Sequence, residues 1–297
     1  MGWAASKRSA AVSSPRFATD VFRRPGGIEI KTDAQLARMR EAGLVVADAL
    51  QRCAEACVAG ATTRELDLIA ARTLQEHGAQ SSFLGYYGYP AVLCVSVNDE
   101  VVHGIPGDRA LRDGDLVSID FGAIIDGWHG DAAVSVAVGA VSDEVAELSR
   151  TTREALWAGL AAARPGGRLS DVGAAVEDTV RGAERGYGIL RDYVGHGIGS
   201  RMHMEPAVAN FGPPGKGPKL KPGMAIAVEP MVTLASPEVF VHDDEWTVAT
   251  VDRAYAAHWE HTVAITEEGP WVLTASDGGA EYFAAAGIPS PATRNSE

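Results

Sequence analysis

Apolar and polar positions along the chain fall into helical and extended stretches in a repeating order. Thr32-x-x-Gln35 forms a capping box, and Leu36, Met39, Val46 and Leu50 follow at helical spacing, which predicts a long amphipathic helix. A second helix is predicted from about Thr63, with Leu66, Ile69 and Leu74 on one face and a stop at Gly78. From Ala91 the pattern turns to period two with β-branched residues, predicting strands over 95–97, 116–121 and 133–138, with Asp126-Gly127 as a hairpin turn. The order then recurs. Helices are predicted over 142–164 and 170–185, and strands over 191–195, 224–231 and 260–265.

A shift of 109 residues lays Leu111-Arg112-Asp113-Gly114 onto Leu220-Lys221-Pro222-Gly223 and carries Asp120 onto Glu229. It also brings the helix starts at Asp33 and Thr63 to within two residues of Ser142 and Ser170. The chain therefore reads as two similar halves, about 33–140 and 142–273, within one domain over 28–285 that is followed by a tail over 286–297.

Composition narrows the partners. Of 297 residues, 46% are hydrophobic and 22% charged, enough for a full core. The net charge of −13 disfavours general affinity for nucleic acid or anionic membrane. Residues 1–27 break this pattern. Lys7, Arg8, Arg16, Arg23 and Arg24 face only Asp20 there, without a secretory apolar core, so the segment reads as a basic, disordered extension. An odd count of three cysteines argues against a disulfide framework and for the cytoplasm, and Cys53 and Cys57, four apart on a helix, read as buried thiols.

Acidic residues at the ends of apolar strands are the anomaly, because a buried carboxylate is costly unless it is paired or holds a metal. Asp120 and Glu229 both stand there. With Asp126-Gly127 as the turn, Asp131 lies across from Gly122 and shares a face with Asp120, near enough for both to reach one cation, the alternative being solvated edge carboxylates. Glu260, in His258-Trp259-Glu260-His261-Thr262, points away from Trp259 and His261. His196 stands between Gly195 and Gly197, which permit close backbone approach around an imidazole. These four carboxylates and one histidine make a hard, oxygen-rich set suited to two divalent ions (Co, Mn, Fe or Zn), and hydrolysis is the natural reaction class. Read alone, His203 is better explained as an ordinary core or surface residue. His129 shares the face of Asp131 as a neighbour or an ordinary strand residue, and His77 and His242 show no partner. Motifs for serine hydrolases, phosphate-binding loops and His-Glu-x-x-His peptidases are absent from the sequence.

Six stretches together resemble the bacterial type I methionine aminopeptidases: residues 96–106 ending in His103-Gly104-Ile105-Pro106, Asp120 with Asp131, Gly195-His196-Gly197-Ile198-Gly199, His203-x-Glu205-Pro206, Glu229-Pro230-Met231 and Glu260-His261-Thr262. The likeness runs from about Ile28 to Leu273, and the 26 residues between His203 and Glu229 leave no room for the helical insertion of type II enzymes. The resemblance implies an α+β pita-bread fold with metals held between its two halves. It implies that Asp120 binds one metal, His196 and Glu229 the other, and that Asp131 and Glu260 bridge both. Hydroxide between the metals would attack the first peptide bond, with Glu229 as the proton acceptor. His103 would contact the scissile nitrogen or leaving group and His203 the carbonyl oxygen.

The family's methionine pocket maps onto Tyr86, Tyr89, Cys94, Met202 and Trp246, with Phe83 at its edge; Phe83 and Met202 stand where other members often differ, which leaves the rim shape open. The implied activity is removal of initiator methionine from nascent chains with a small second residue; a cytoplasmic monomer is expected, and the cationic residues 1–26 read first as a solvated tail, with ribosome contact as the alternative their charge suggests. Two rivals remain. Proline-specific peptidases share the fold but usually carry an extra N-terminal domain, and about 27 residues precede the likeness here. A non-catalytic binding module would be expected to lose metal ligands, and all five are present.

Overall fold

Local capping starts the fold where the sequence predicts. In the computed structural model, which describes residues 27–294, the Gln35 backbone N–H donates to Thr32 Oγ1 (3.4 Å) and the Thr32 N–H to Gln35 Oε1 (2.8 Å), opening α1 (Asp33–Ala56). Thr62 and Glu65 repeat the box at α2 (Thr63–His77), and Gly78, at φ 63°, ends it in the left-handed conformation. The readings made for residues 1–26 lie outside the described residues.

Strands follow the two helices: β1 (Gln80–Ser81), β2 (Cys94–Val97), β3 (Glu100–Val102), β4 (Leu116–Ile125) and β5 (Trp128–Ala137). Asp126 and Gly127 have φ of 49° and 80°, as a two-residue type I′ turn requires, and they set the β4–β5 register so that Asp131 pairs with Gly122. The second half supplies α3 (Asp143–Ala162), α4 (Leu169–Gly182), β6 (Gly188–Ile189), β7 (Gly195–Gly197), β8 (Met204–Val208), β9 (Ala225–Val228) and β10 (Met231–Thr233). Then come β11 (Val239–Val241), β12 (Val248–Thr250), β13 (Ala256–His258), β14 (Glu260–Thr266) and β15 (Gly269–Val272).

The main sheet runs β1-β4-β5-β14-β9-β7-β8, with β2 on β4 and β15 on β14. β14 joins the halves, pairing Glu260 with Ala133 of β5 and His261 with Val228 of β9. Helices cover the sheet with separate cores. Val46, Leu50, Leu66 and Leu74 pack with Val117, Ile119 and Phe121, whereas Leu148, Leu156, Leu160 and Val176 pack with Ile226, Val228, Val263 and Ile265.

Three boundaries differ from the expectation, each for a local reason. The strand over 224–231 breaks at Pro230, which has no N–H to donate, and Met231 onward joins a different sheet with β13 and β6. The strand over 191–195 begins only at Gly195, because Tyr193 turns into a cluster with Leu190, Val101 and Val248. Packing also continues past residue 285. Ile288 is buried beside Phe283, Ser290 Oγ donates to the Pro270 carbonyl (2.7 Å), and α5 (Ala280–Ala285) is followed by α6 (Pro291–Arg294), so no free tail starts at 286. The 109-residue register holds from β4 to β9 and ends after Glu229, where residues 231–258 contribute the small sheets.

Cys53 and Cys57 are buried free thiols, both pushed up to about 12 chiefly by burial. Among the described residues no helix is long and apolar enough to cross a membrane.

Candidate metal centre

Five strands converge on one cavity. β4 delivers Asp120, β5 Asp131, the end of β9 Glu229 and the start of β14 Glu260, while β7 brings His196. The glycines flanking His196 are required by close approach: a Cβ on Gly195 would stand 2.3 Å from the Ala227 carbonyl oxygen, and one on Gly197 2.1 Å from that of Glu205. His196 Nδ1 lies 3.0 Å from the Gly197 carbonyl oxygen, a bond that protonates Nδ1 and leaves Nε2 facing Glu229 Oε1 at 3.5 Å.

The electrostatics are those of a site built for a cation. Burial, reinforced by neighbouring carboxylates, pushes Asp131 and Glu260 far above the usual range; burial and Asp120 do the same to Glu229, and burial pushes Asp120 up to about 7. Burial drives His196 down to about 4 and keeps it neutral, as a metal ligand must be. Asp120 Oδ1, Asp131 Oδ1, Glu260 Oε1 and His258 Nε2 are buried without a hydrogen-bond partner. Orphaned carboxylate oxygens in such a place cost several kcal/mol unless something positive meets them. Donor atoms of Asp131, His196 and Glu260, and those of Glu229, His258 and Glu260, lie within 4.8 Å of one another. The residues present therefore fit divalent cations.

An apolar wall closes the same cavity. Phe83, Tyr89, Cys94 and Met202 are buried there, with Tyr86 and Trp246 partly so. Tyr89 packs edge-on to Trp246 at 5.0 Å, and its hydroxyl lies 3.0 Å from both the Leu93 and Gly104 carbonyls, tying the wall to the segment that carries His103. Burial and Asp120 hold the Cys94 thiol protonated, so it lines the pocket as an apolar group. His103 takes a left-handed φ of 62°, uncommon for a residue with a Cβ, and its ring lies 6.4 Å from that of Trp246. His203 stacks on Tyr86 at 5.3 Å, and its Nδ1 is 2.9 Å from the Tyr86 hydroxyl.

Known proteins match along most of the chain. The profile of metallopeptidase family M24 fits residues 37–267. Methionine aminopeptidase 1 of Mycobacterium tuberculosis is 52% identical over 249 residues, covering 82% of this chain and 94% of that protein. The chain belongs to the methionine aminopeptidases of family M24. Methionine aminopeptidase 1 of Bacillus subtilis is 48% identical, covering 82% of this chain and 98% of its own length. The crystal structure of the Thermotoga maritima methionine aminopeptidase superposes with a TM-score of 0.81 at 42% identity, covering 83% of this chain and 99% of that one. Prolidase from Pyrococcus furiosus, at 23% identity and a TM-score of 0.66, shares the pita-bread fold.

In this M24 site three supporting groups escape the sequence reading. Asn210 Nδ2, just beyond β8, donates to the Glu229 carbonyl (3.0 Å), and Thr262 Oγ1 on β14 donates to the Asp131 carbonyl (2.8 Å) while standing 3.2 Å from its N–H, so the backbones of both acids are held by neighbouring side chains. The third is His258, at 3.8 Å from both Glu229 and Glu260. Period two was the available signal, since His258 precedes Glu260 by two positions. His129 does not join the cluster of ligand atoms; its Nδ1 bonds Ser82 Oγ at 2.9 Å. His77 has a partner after all, Asp48 at 2.8 Å, and His242 stacks on Phe240.

Proposed function

We propose that this protein removes the N-terminal methionine from nascent chains with a small second residue, acting in the cytoplasm as a monomer with two divalent ions. The observation that carries the reading is the meeting, in one cavity, of a buried carboxylate–imidazole cluster with orphaned oxygens and a wall of soft apolar side chains. One half suits hydrolysis and the other suits a thioether.

Asp120, Asp131, His196, Glu229 and Glu260 hold the ions. When bound, these supply Lewis acidity, which lowers the pKa of a water and polarises the scissile carbonyl. The protein's own groups do the rest. Tyr86, Tyr89, Cys94, Met202 and Trp246, with Phe83 at the rim, surround the methionine side chain and exclude water around it. His203, neutral because burial and the nearby histidines oppose a charge, donates a ring N–H to the carbonyl oxygen as negative charge develops there. Glu229 accepts the proton of the attacking water and returns it to the leaving amine, while His103 contacts the scissile nitrogen. The cationic segment 1–26 contacts the ribosome, a reading supported by its charge and tested by co-sedimentation of a truncated chain at low salt.

The test is release of free methionine from Met-Gly and Met-Leu tripeptides by metal-stripped protein titrated with Mn, Co, Fe or Zn, beside an X-Pro substrate. Metal-dependent cleavage of the Met-Gly peptide is expected. Cleavage of the X-Pro substrate alone would move the chain to the proline-specific branch of the fold.

A further inference from the structure

Glu229 stands between two imidazoles, and only His196 is among the ligands argued above. The other is His258, on the last position of β13 and 2% exposed. Its backbone is fixed on both sides: its N–H is shared by Ser135 Oγ (3.0 Å) and Ser118 Oγ (3.2 Å), and Ser135 Oγ donates to its carbonyl (2.9 Å). Ser118 lies two positions before Asp120 on β4 and Ser135 four after Asp131 on β5, so the strands that present two carboxylates also place this ring. Its Nε2 has no hydrogen-bond partner and lies 3.8 Å from Oε2 of Glu229 and equally far from Oε2 of Glu260.

We propose that His258 is a positioning residue whose Nε2–H holds the Oε2 edges of Glu229 and Glu260, so that their remaining oxygens face the metal ions. The distance is beyond a hydrogen bond, and a small rotation of either carboxylate closes it. A donor shared by two crowded carboxylates answers both unmet demands at once, the orphaned nitrogen and the facing like charges. A group that orients ligating carboxylates affects affinity for the metal before it affects anything else. The proposal rests on the reading that Glu229 and Glu260 are metal ligands.

The experiment measures Mn affinity of the metal-stripped full-length chain by electron paramagnetic resonance of free Mn, for the wild type and for His258→Gln, His258→Leu and His258→Phe. The apolar variants are expected to weaken Mn binding by about 10- to 100-fold, and His258→Gln, which keeps a donor at similar reach, to stay within about threefold. Two apolar shapes guard against one of them failing to fold, which thermal melting of the metal-free proteins reports. Unchanged affinity in either folded apolar variant, or equal loss in His258→Gln, overturns the proposal. Histidine-labelled protein adds a direct readout: on zinc binding, the ¹⁵N resonance of His258 Nε2 is expected to keep its proton. Loss of that proton would make His258 a ligand and overturn the positioning role. A wild-type chain that binds no Mn would instead overturn the ligand reading on which this one stands.

Discussion

Tyr86 does two jobs with one side chain. Its ring forms part of the pocket wall and its hydroxyl lies 2.9 Å from His203 Nδ1; in the proposed mechanism it donates there, so that the proton of the neutral ring sits on Nε2 to meet the carbonyl oxygen. Tyr86→Phe keeps the ring and removes the bond; kcat for a Met-Gly peptide is expected to fall about tenfold with KM within about twofold. A change confined to KM would show that the hydroxyl serves only binding. Asp131→Ala is expected to abolish metal-dependent turnover, because Asp131 stands in the shared cluster with His196 and Glu260. Direct titration of metal binding checks this independently of activity.

At this scale the sequence was legible wherever a residue broke its own local rule. Asp120, Asp131 and Glu229 are acids where strands call for apolar side chains, and His196 is set among glycines that a plain strand would not carry. Asn210, Thr262 and Ser135 break no rule where they stand, and their partners lie 19 to 131 residues away. No local pattern encodes such contacts.

Elements were legible where short-range chemistry sets them. Capping boxes start α1 and α2, and two positive φ values at Asp126-Gly127 fix the register that puts Asp131 beside Asp120. Boundaries were less legible where tertiary packing decides. Pro230 diverts the chain into a second sheet, and Ile288 finds a core place that its sparse surroundings do not announce. Gly197→Ala belongs to this scale. Its Cβ would meet the Glu205 carbonyl oxygen at 2.1 Å, so β7 must move away from β8 and carry His196 with it. The variant is expected to fold with a lower Tm and to bind Mn at least about tenfold more weakly, by the same resonance titration. Unchanged affinity would mean that the glycine serves packing alone.

In the whole molecule, two helix-backed halves meet at β14 and gather four carboxylates in a buried place. That arrangement ties stability to pH and metal together. Asp120 is raised to about 7 in the folded protein against an ordinary carboxyl value of about 4. A raised acid contributes stability that is fully present below the unfolded value and is lost as pH rises through the folded one. The metal-free protein should therefore lose stability between about pH 4 and 7, with Asp131, Glu229 and Glu260 shifted in the same direction. Bound cations meet the ionised oxygens and remove the penalty. Calorimetry is expected to show a gap in Tm between Mn-loaded and stripped protein that widens as pH rises; a constant gap would contradict the account.

The most direct test of the central claim is methionine release from Met-Gly and Met-Leu tripeptides while metal-stripped protein is titrated with a single divalent ion. No turnover is expected in the stripped protein, with turnover of the Met-Gly peptide restored by the ion, little of the Met-Leu peptide, and none in Asp131→Ala. Turnover unaffected by stripping, or no methionine released with any ion, would contradict it.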